Sequence, residues 1–284
     1  MIKKRVQSPS SMNTYRQCPR KYYYVYIENL PTRPSIHLVR GKVVHSVLEE
    51  FFNIDTTSMT FDNYKSELRQ RMQSLFLSAW QGSRKELNEF ALSSDQEKFY
   101  FSETMLMLFN WLEQFLVKIQ STPDQSFADI FKKLTPIREK EYTSPELYVR
   151  GFIDAIEDTG TGVCIMDYKT NTYLEITDEQ RLQLAVYALL YKRTHGITPN
   201  KAGIFFLRSR PKFIAVDSNL LDEAEREIFT IHEKTQTTEI SDYPLKPGPL
   251  CKTCDFYKIC FEQKTITEYK SDTRPAVPAQ KLQG

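Results

Sequence analysis

The stretch Gly151-Phe152-Ile153-Asp154-Ala155-Ile156-Glu157-Asp158-Thr159-Gly160-Thr161-Gly162-Val163-Cys164-Ile165-Met166-Asp167-Tyr168-Lys169 decides how this chain is read. Two apolar runs, each carrying a carboxylate, flank a glycine-bearing turn, which is the pattern of an antiparallel hairpin. With the turn centred between Gly160 and Thr161, Asp154 faces Asp167, and facing residues bring their Cβ atoms to about 4.5–5.5 Å. Carboxylates that close repel each other unless a cation lies between them, and a hard divalent ion such as Mg²⁺ suits oxygen ligands. Lys169 is two residues beyond Asp167 and points to the same strand face. A solvated Asp–Lys pair is the ordinary reading of Asp-x-Lys. Here, however, both carboxylates follow apolar residues, Phe152-Ile153 and Ile165-Met166, and a charge in apolar sequence needs a reason to be there. A metal-bound water attacking phosphorus, with metal and lysine stabilising the added charge, is chemistry such a set serves.

Outward from the hairpin, the pattern predicts strands over 137–142, 147–156 and 163–169. A helix is expected over 178–194, strands over 202–207 and 213–216, and a helix from about 220 to 234. That order makes a small α/β core. Upstream, 41–52 and 61–120 carry helical apolar spacing, at Val44, Val47, Leu48 and Phe51 and again at Met105, Leu108, Phe109 and Leu112. This region reads as a helical insertion. Ser10 to Tyr15 suggests a cap leading into a short helix that carries Cys18. The organisation expected is therefore an N-terminal segment (1–40), a helical region (41–135), a core (136–235), a cysteine-bearing segment (236–270) and a disordered tail (271–284).

Lysine and arginine total 38 against 36 aspartate and glutamate, a net charge of +2, so the total demands no polyanionic partner. Lys3, Lys4, Arg5, Arg16, Arg20 and Lys21 crowd the first residues and could meet phosphates. No apolar run reaches the roughly 20 residues of a membrane span, and the basic start lacks a signal peptide's apolar stretch, so a cytoplasmic protein without membrane contact is expected. No Gly-x4-Gly-Lys-Ser/Thr phosphate loop occurs, which leaves any motor to a partner.

Of five cysteines, Cys251, Cys254 and Cys260 fall within ten residues. An odd count fits a disulfide framework poorly. Cys18 is the fourth-ligand candidate, because Cys164 lies in an apolar strand and reads as a small buried hydrophobe. Four-cysteine Zn²⁺ and [4Fe–4S] are both chemically open. Either would staple the chain's two ends, a closure worth on the order of 5 kcal/mol in a cross-link model.

Gly41-x-x-x-His45, Gly151-Phe152-Ile153-Asp154, Asp167-Tyr168-Lys169-Thr170 and Gln183-x-x-x-Tyr187 occur in this order. Together they resemble the RecB-type branch of the PD-(D/E)XK nuclease superfamily, over roughly 41–53 and 137–215. The resemblance implies a restriction-endonuclease-like α/β core, a central mixed sheet flanked by helices. It implies that His45, Asp154, Asp167 and the Tyr168 carbonyl bind Mg²⁺ or Mn²⁺, that Lys169 is catalytic, and that Gln183 and Tyr187 line the DNA path. Glu141 is a possible auxiliary acid. One cysteine before the core and three after it look like the iron–sulfur nucleases, including CRISPR-associated RecB-like nucleases and the AddB nuclease domain. That likeness favours a structural [4Fe–4S] cluster on Cys18, Cys251, Cys254 and Cys260, with Zn²⁺ as the alternative. The implied activity is a metal-dependent deoxyribonuclease, an exonuclease on single-stranded or end-containing DNA. It would act in repair, recombination or CRISPR adaptation, with a helicase or adaptation-protein partner. The rival expectation is a non-catalytic DNA-binding or scaffold subunit of a helicase–nuclease complex.

Overall fold

A computed structural model describes residues 5–122 and 126–272. It begins with α1 (Pro9–Gln17), whose first turn is closed by a Ser8–Ser11 capping box and a proline in the first turn. The cap is thus Ser8, ahead of the Ser10 expected from sequence. Cys18 is not inside the helix either: it is an extended residue that ends α1 and opens α2 (Pro19–Tyr22). A π-helical turn, Tyr23–Ile27, follows. Next comes α3 (Ile36–Phe51), capped by Ser35 and starting five residues earlier than its apolar spacing suggested.

The stretch 61–120 divides into α4 (Tyr64–Gly82), α5 (Arg84–Asn88) and α6 (Ser94–Gln120), the last begun by a Ser93–Gln96 capping box. That polar cap sets where α6 begins, whereas Asn63 and Ser83 precede α4 and α5 without a side-chain cap. After α7 (Phe127–Leu134) come β1 (Ile137–Ser144), β2 (Val149–Asp158) and β3 (Val163–Lys169). They are followed by α8 (Asp178–His195), β4 (Lys201–Phe206), β5 (Pro211–Ala215) and α9 (Ser218–Lys234). The chain closes with α10 (Tyr257–Phe261) and α11 (Ile266–Asp272). Ser271 and Asp272 are therefore helical; the rest of the expected tail, like Lys3 and Lys4, lies outside the described residues.

Among the described residues the strands form one mixed sheet in the order β1-β2-β3-β4-β5. Only β3 and β4 run parallel, and α8 supplies the long crossover that a parallel pair requires. The β2–β3 hairpin pairs Ala155 with Met166 and Asp158 with Val163. One step further in that register, Asp154 stands across from Asp167.

The two sheet faces bury different helices. Ile165, Ala202, Ile204 and Phe206 pack under α8 and α9, whereas Cys164, Met166, Tyr168, Phe205 and Leu207 pack against α3, α4, α6 and α7. Helix α8 is buried from Leu184 through Tyr191 on every side, as expected of a helix that is apolar all round. A third cluster joins the two ends of the chain: Tyr22, Tyr23, Tyr24 and Leu30 pack with Tyr243, Phe256 and Tyr269. The tyrosines near Cys18 are thus packing residues.

Candidate active site

The fold brings three elements to one cavity of about 290 Å³, lined by His45 from α3, Gly151 and Asp154 from β2, and Asp167 and Lys169 from β3. Gln183 and Tyr187 from α8 and the start of α1 complete its walls. Asp154 and Asp167 are buried. One carboxylate oxygen of Asp154 accepts the Tyr168 backbone N–H at 2.7 Å. The Lys169 ammonium lies 2.7 Å from Asp167 Oδ2, an oxygen with no hydrogen-bond partner of good geometry. Gln183 Nε2 donates to Asp167 Oδ1 at 3.0 Å and to the Tyr187 hydroxyl at 2.8 Å.

His45 closes the other side. One ring nitrogen lies 3.1 Å from Glu139 Oε1 and 3.5 Å from Asp154 Oδ1, and the other lies 3.2 Å from the Tyr168 carbonyl oxygen. The ligand atoms of His45, Glu139 and Asp154 all lie within 4.8 Å of one another. Asp167 stands outside that trio and is engaged by Lys169 and Gln183. Glu139, which sequence reading missed, stands opposite Asp154 in the β1–β2 register (Arg138↔Ala155, Lys140↔Ile153). Its backbone is left-handed, with φ 43°, a conformation that side chains rarely adopt and that surrounding structure must hold in place. Glu141, the auxiliary acid considered from sequence, instead lies 3.5 Å from Arg150 and pairs with Phe152, on an exposed part of β1.

The electrostatics follow from this crowding. Burial lifts Asp154 above the usual carboxylate range, opposed by His45 and reinforced by Asp167. Burial depresses His45, but Asp154, Glu139 and Asp167 outweigh it and raise the imidazole to about 9. Lys169 is pulled down by burial and pushed further up by Asp167 and Asp154. Three buried or half-buried anions around two cations form a site with strong affinity for positive charge. The Asp154 and Glu139 carboxylates, the His45 imidazole and the Tyr168 carbonyl, with Asp167 beside them, are the donor types a Mg²⁺- or Mn²⁺-class ion takes.

Gly151 matters for a steric reason. A Cβ there would meet the Tyr187 ring at 2.8 and 3.0 Å. The absent side chain lets that ring lie against β2 and deliver its hydroxyl to Gln183.

A second cavity, of about 320 Å³, is lined by Cys18, Cys251, Cys254 and Cys260 together with Tyr24 and Phe256. Burial raises the Cys260 thiol to about 11 and lifts Cys254, so thiolates there need a cationic group to neutralise them. The four line this one cavity, and among the described residues no three of their sulfurs lie within 4.8 Å of one another. Cys164 is fully buried in the helical-side core, away from this group.

The chain belongs to the PD-(D/E)XK nuclease superfamily, whose family profile matches residues 7–261. It is 24% identical to the Gene 69 protein of Mycobacterium phage L5 and 26% identical to that of phage D29. Those alignments cover 90% and 91% of this chain and 96% and 97% of the phage proteins. It is also 24% identical, over 91% of its length, to one quarter of a much longer protein of Carboxydothermus hydrogenoformans, a subunit of the ATP-dependent helicase/deoxyribonuclease. Among solved structures, a putative exonuclease from Eubacterium rectale shares the fold at a TM-score of 0.50 and 14% identity, covering 98% of this chain and 92% of that one. Among the described residues no helix is long and apolar enough to cross a membrane.

Proposed function

We propose that this protein is a Mg²⁺- or Mn²⁺-dependent deoxyribonuclease in which His45, Asp154, Asp167 and the Tyr168 carbonyl hold the metal, joined by Glu139. The observation that carries the reading is the convergence of His45, Asp154, Asp167 and Lys169 on one cavity, with Glu139 and the Tyr168 carbonyl beside His45. A divalent ion there supplies Lewis-acid polarisation of the scissile phosphate and a more acidic attacking water. Lys169 stabilises the charge that builds on the phosphate in the transition state. Asp167 holds that ammonium in place, and Gln183 holds Asp167 while Tyr187 fixes Gln183. Gln183 and Tyr187, read from sequence as lining the DNA path, act in this account as positioning residues.

The cavity is compact and walled by α1, which suits a strand end and supports an exonuclease on single-stranded or end-containing DNA. The partial match to a helicase/deoxyribonuclease component supports work beside a motor in cytoplasmic DNA repair or recombination, and CRISPR adaptation is a further setting of the same chemistry. Cys18, Cys251, Cys254 and Cys260 bind a [4Fe–4S] cluster whose role is structural. The gathering of the four cysteines around the second cavity supports a metal–thiolate centre, and the likeness to the iron–sulfur nucleases favours a cluster over Zn²⁺ there.

Two measurements test this. Lys169→Ala should abolish metal-dependent cleavage of end-labelled DNA while leaving the melting profile within a few degrees of wild type. Anaerobic purification should yield close to four irons per chain; stoichiometric zinc without iron would overturn the cluster assignment.

A further inference from the structure

Arg208 and Glu103 play no part in the site as described, yet they touch its framework. Arg208 lies two residues past the end of β4, and its Nε donates to the carbonyl of Thr170, the residue after Lys169, at 3.0 Å. The Leu207 N–H donates to the Lys169 carbonyl at 3.0 Å beside it. The other arm of Arg208 pairs with Glu103 of α6. The second oxygen of Glu103 takes Arg40 of α3 at 2.5 Å. Arg40 is buried, donates to Thr104 at 2.9 Å, and lies over the Tyr100 ring. It precedes His45 by five residues on the same helix. Asn110, also on α6, ties down the Leu207 and Ser209 carbonyls at 2.9 and 2.7 Å.

We infer that Glu103 is a keystone that fixes the two halves of the active site relative to each other, by binding Arg208 at the Lys169 end of β3 and Arg40 on the His45 helix. The site needs such a device because its ligands come from a helix and a sheet that share no covalent register. A carboxylate bound by two guanidinium groups defines direction as well as distance. Sub-ångström displacement of a catalytic group is enough to lower turnover substantially. Arg208 does not line the active-site cavity, so it acts through Thr170 and Lys169 and is a positioning residue.

This rests on the nuclease reading, and the test separates the two. Wild type, Arg208→Gln, Arg208→Lys, Glu103→Gln and the double variant Arg208→Gln/Glu103→Gln are compared for kcat and KM on end-labelled single-stranded DNA. Mn²⁺ binding by titration calorimetry is measured in parallel. Arg208→Gln should lower kcat at least tenfold with KM changed less than twofold, and should weaken Mn²⁺ binding severalfold. Arg208→Lys should restore little, because an ammonium cannot serve Thr170 and Glu103 in two directions. The double variant should be no slower than the worse single one. Unchanged kcat and Mn²⁺ affinity in a folded Arg208→Gln overturns the inference. So does a loss confined to KM, which would make Arg208 a DNA contact. A wild type that binds Mn²⁺ but cleaves nothing sinks the nuclease reading alone, and the calorimetry still decides the keystone. Should Glu103→Gln fail to fold, Arg208→Gln and Arg208→Lys carry the test on their own.

Discussion

Replacing Gly151 with alanine tests whether the α8 wall of the site is seated as described. The added Cβ would lie 2.8 Å from Tyr187 Cε1, 3.0 Å from Cδ1 and 3.3 Å from Leu190 Cδ1. Ordinary contact begins at 3.4 Å, so the ring must retreat by about 0.6 Å. It has little room to do so, because Tyr187 is buried and α8 is enclosed on all sides. Overpacking of this kind costs about 1–3 kcal/mol, a fall in Tm of about 2–5 °C for a chain of this size. The shift also stretches the 2.8 Å bond from Gln183 to the Tyr187 hydroxyl, loosening the group that holds Asp167. Activity should therefore fall by more than the Tm alone would explain, about tenfold in kcat at a temperature where the variant is folded. A second change, Tyr187→Leu, removes the clash and should recover most of the Tm but none of the activity. Thermal melts and cleavage rates of the three proteins give the answer. A Gly151→Ala protein with unchanged Tm and kcat would refute the packing of Tyr187 on β2.

Metal binding and pH are linked through His45. Because its folded value, about 9, exceeds the ordinary 6.5, this group favours the metal-free fold below pH 6.5, and that stabilisation disappears as pH rises towards 9. Ligation needs neutral imidazole. The Tm increment given by Mn²⁺ should thus be larger at pH 8.5 than at pH 6.5; a flat or inverted trend contradicts this reading of the site. The proposed cluster predicts that Cys254→Ser loses visible absorbance and a large part of the stability, while Cys164→Ser, in the helical-side core, leaves the absorbance intact. Gln7→Leu should destabilise by about 1–3 kcal/mol, because it strands the buried Tyr22 hydroxyl that the Gln7 amide now serves, while the Thr235 and Ser11 hydroxyls keep the Ile231 and Ser8 carbonyls. Chemical denaturation measures this, and a loss under about 0.5 kcal/mol would show that the Tyr22 hydroxyl finds water.

What sequence could reveal follows from the range of the interactions involved. The Asp154–Asp167 pairing is legible because a period of two and a Gly160–Gly162 turn fix the hairpin register locally. Helix α8 announces itself through the Thr177–Gln180 capping box and the left-handed Gly196 at its end. Glu139 is not legible in the same way. Choosing it over Glu141 depends on the β1–β2 register, and the loop that sets it, between Ser144 and Val149, has no glycine; its left-handed residue is Tyr148, φ 49°. Reading Leu147 as a strand residue hides that loop. The Arg40–Glu103–Arg208 triad spans 63 and 105 residues, and no local pattern signals contacts at such separations.

That Asp154, Asp167 and Lys169 form a metal-dependent cleavage site is tested most directly by incubating end-labelled single- and double-stranded DNA with wild type and Asp167→Asn, each with Mg²⁺, Mn²⁺ or EDTA. Wild type should degrade labelled DNA from its ends with either metal and not with EDTA, and Asp167→Asn, equally folded, should be inert throughout. Cleavage that survives in Asp167→Asn, or that proceeds in EDTA, would contradict the account.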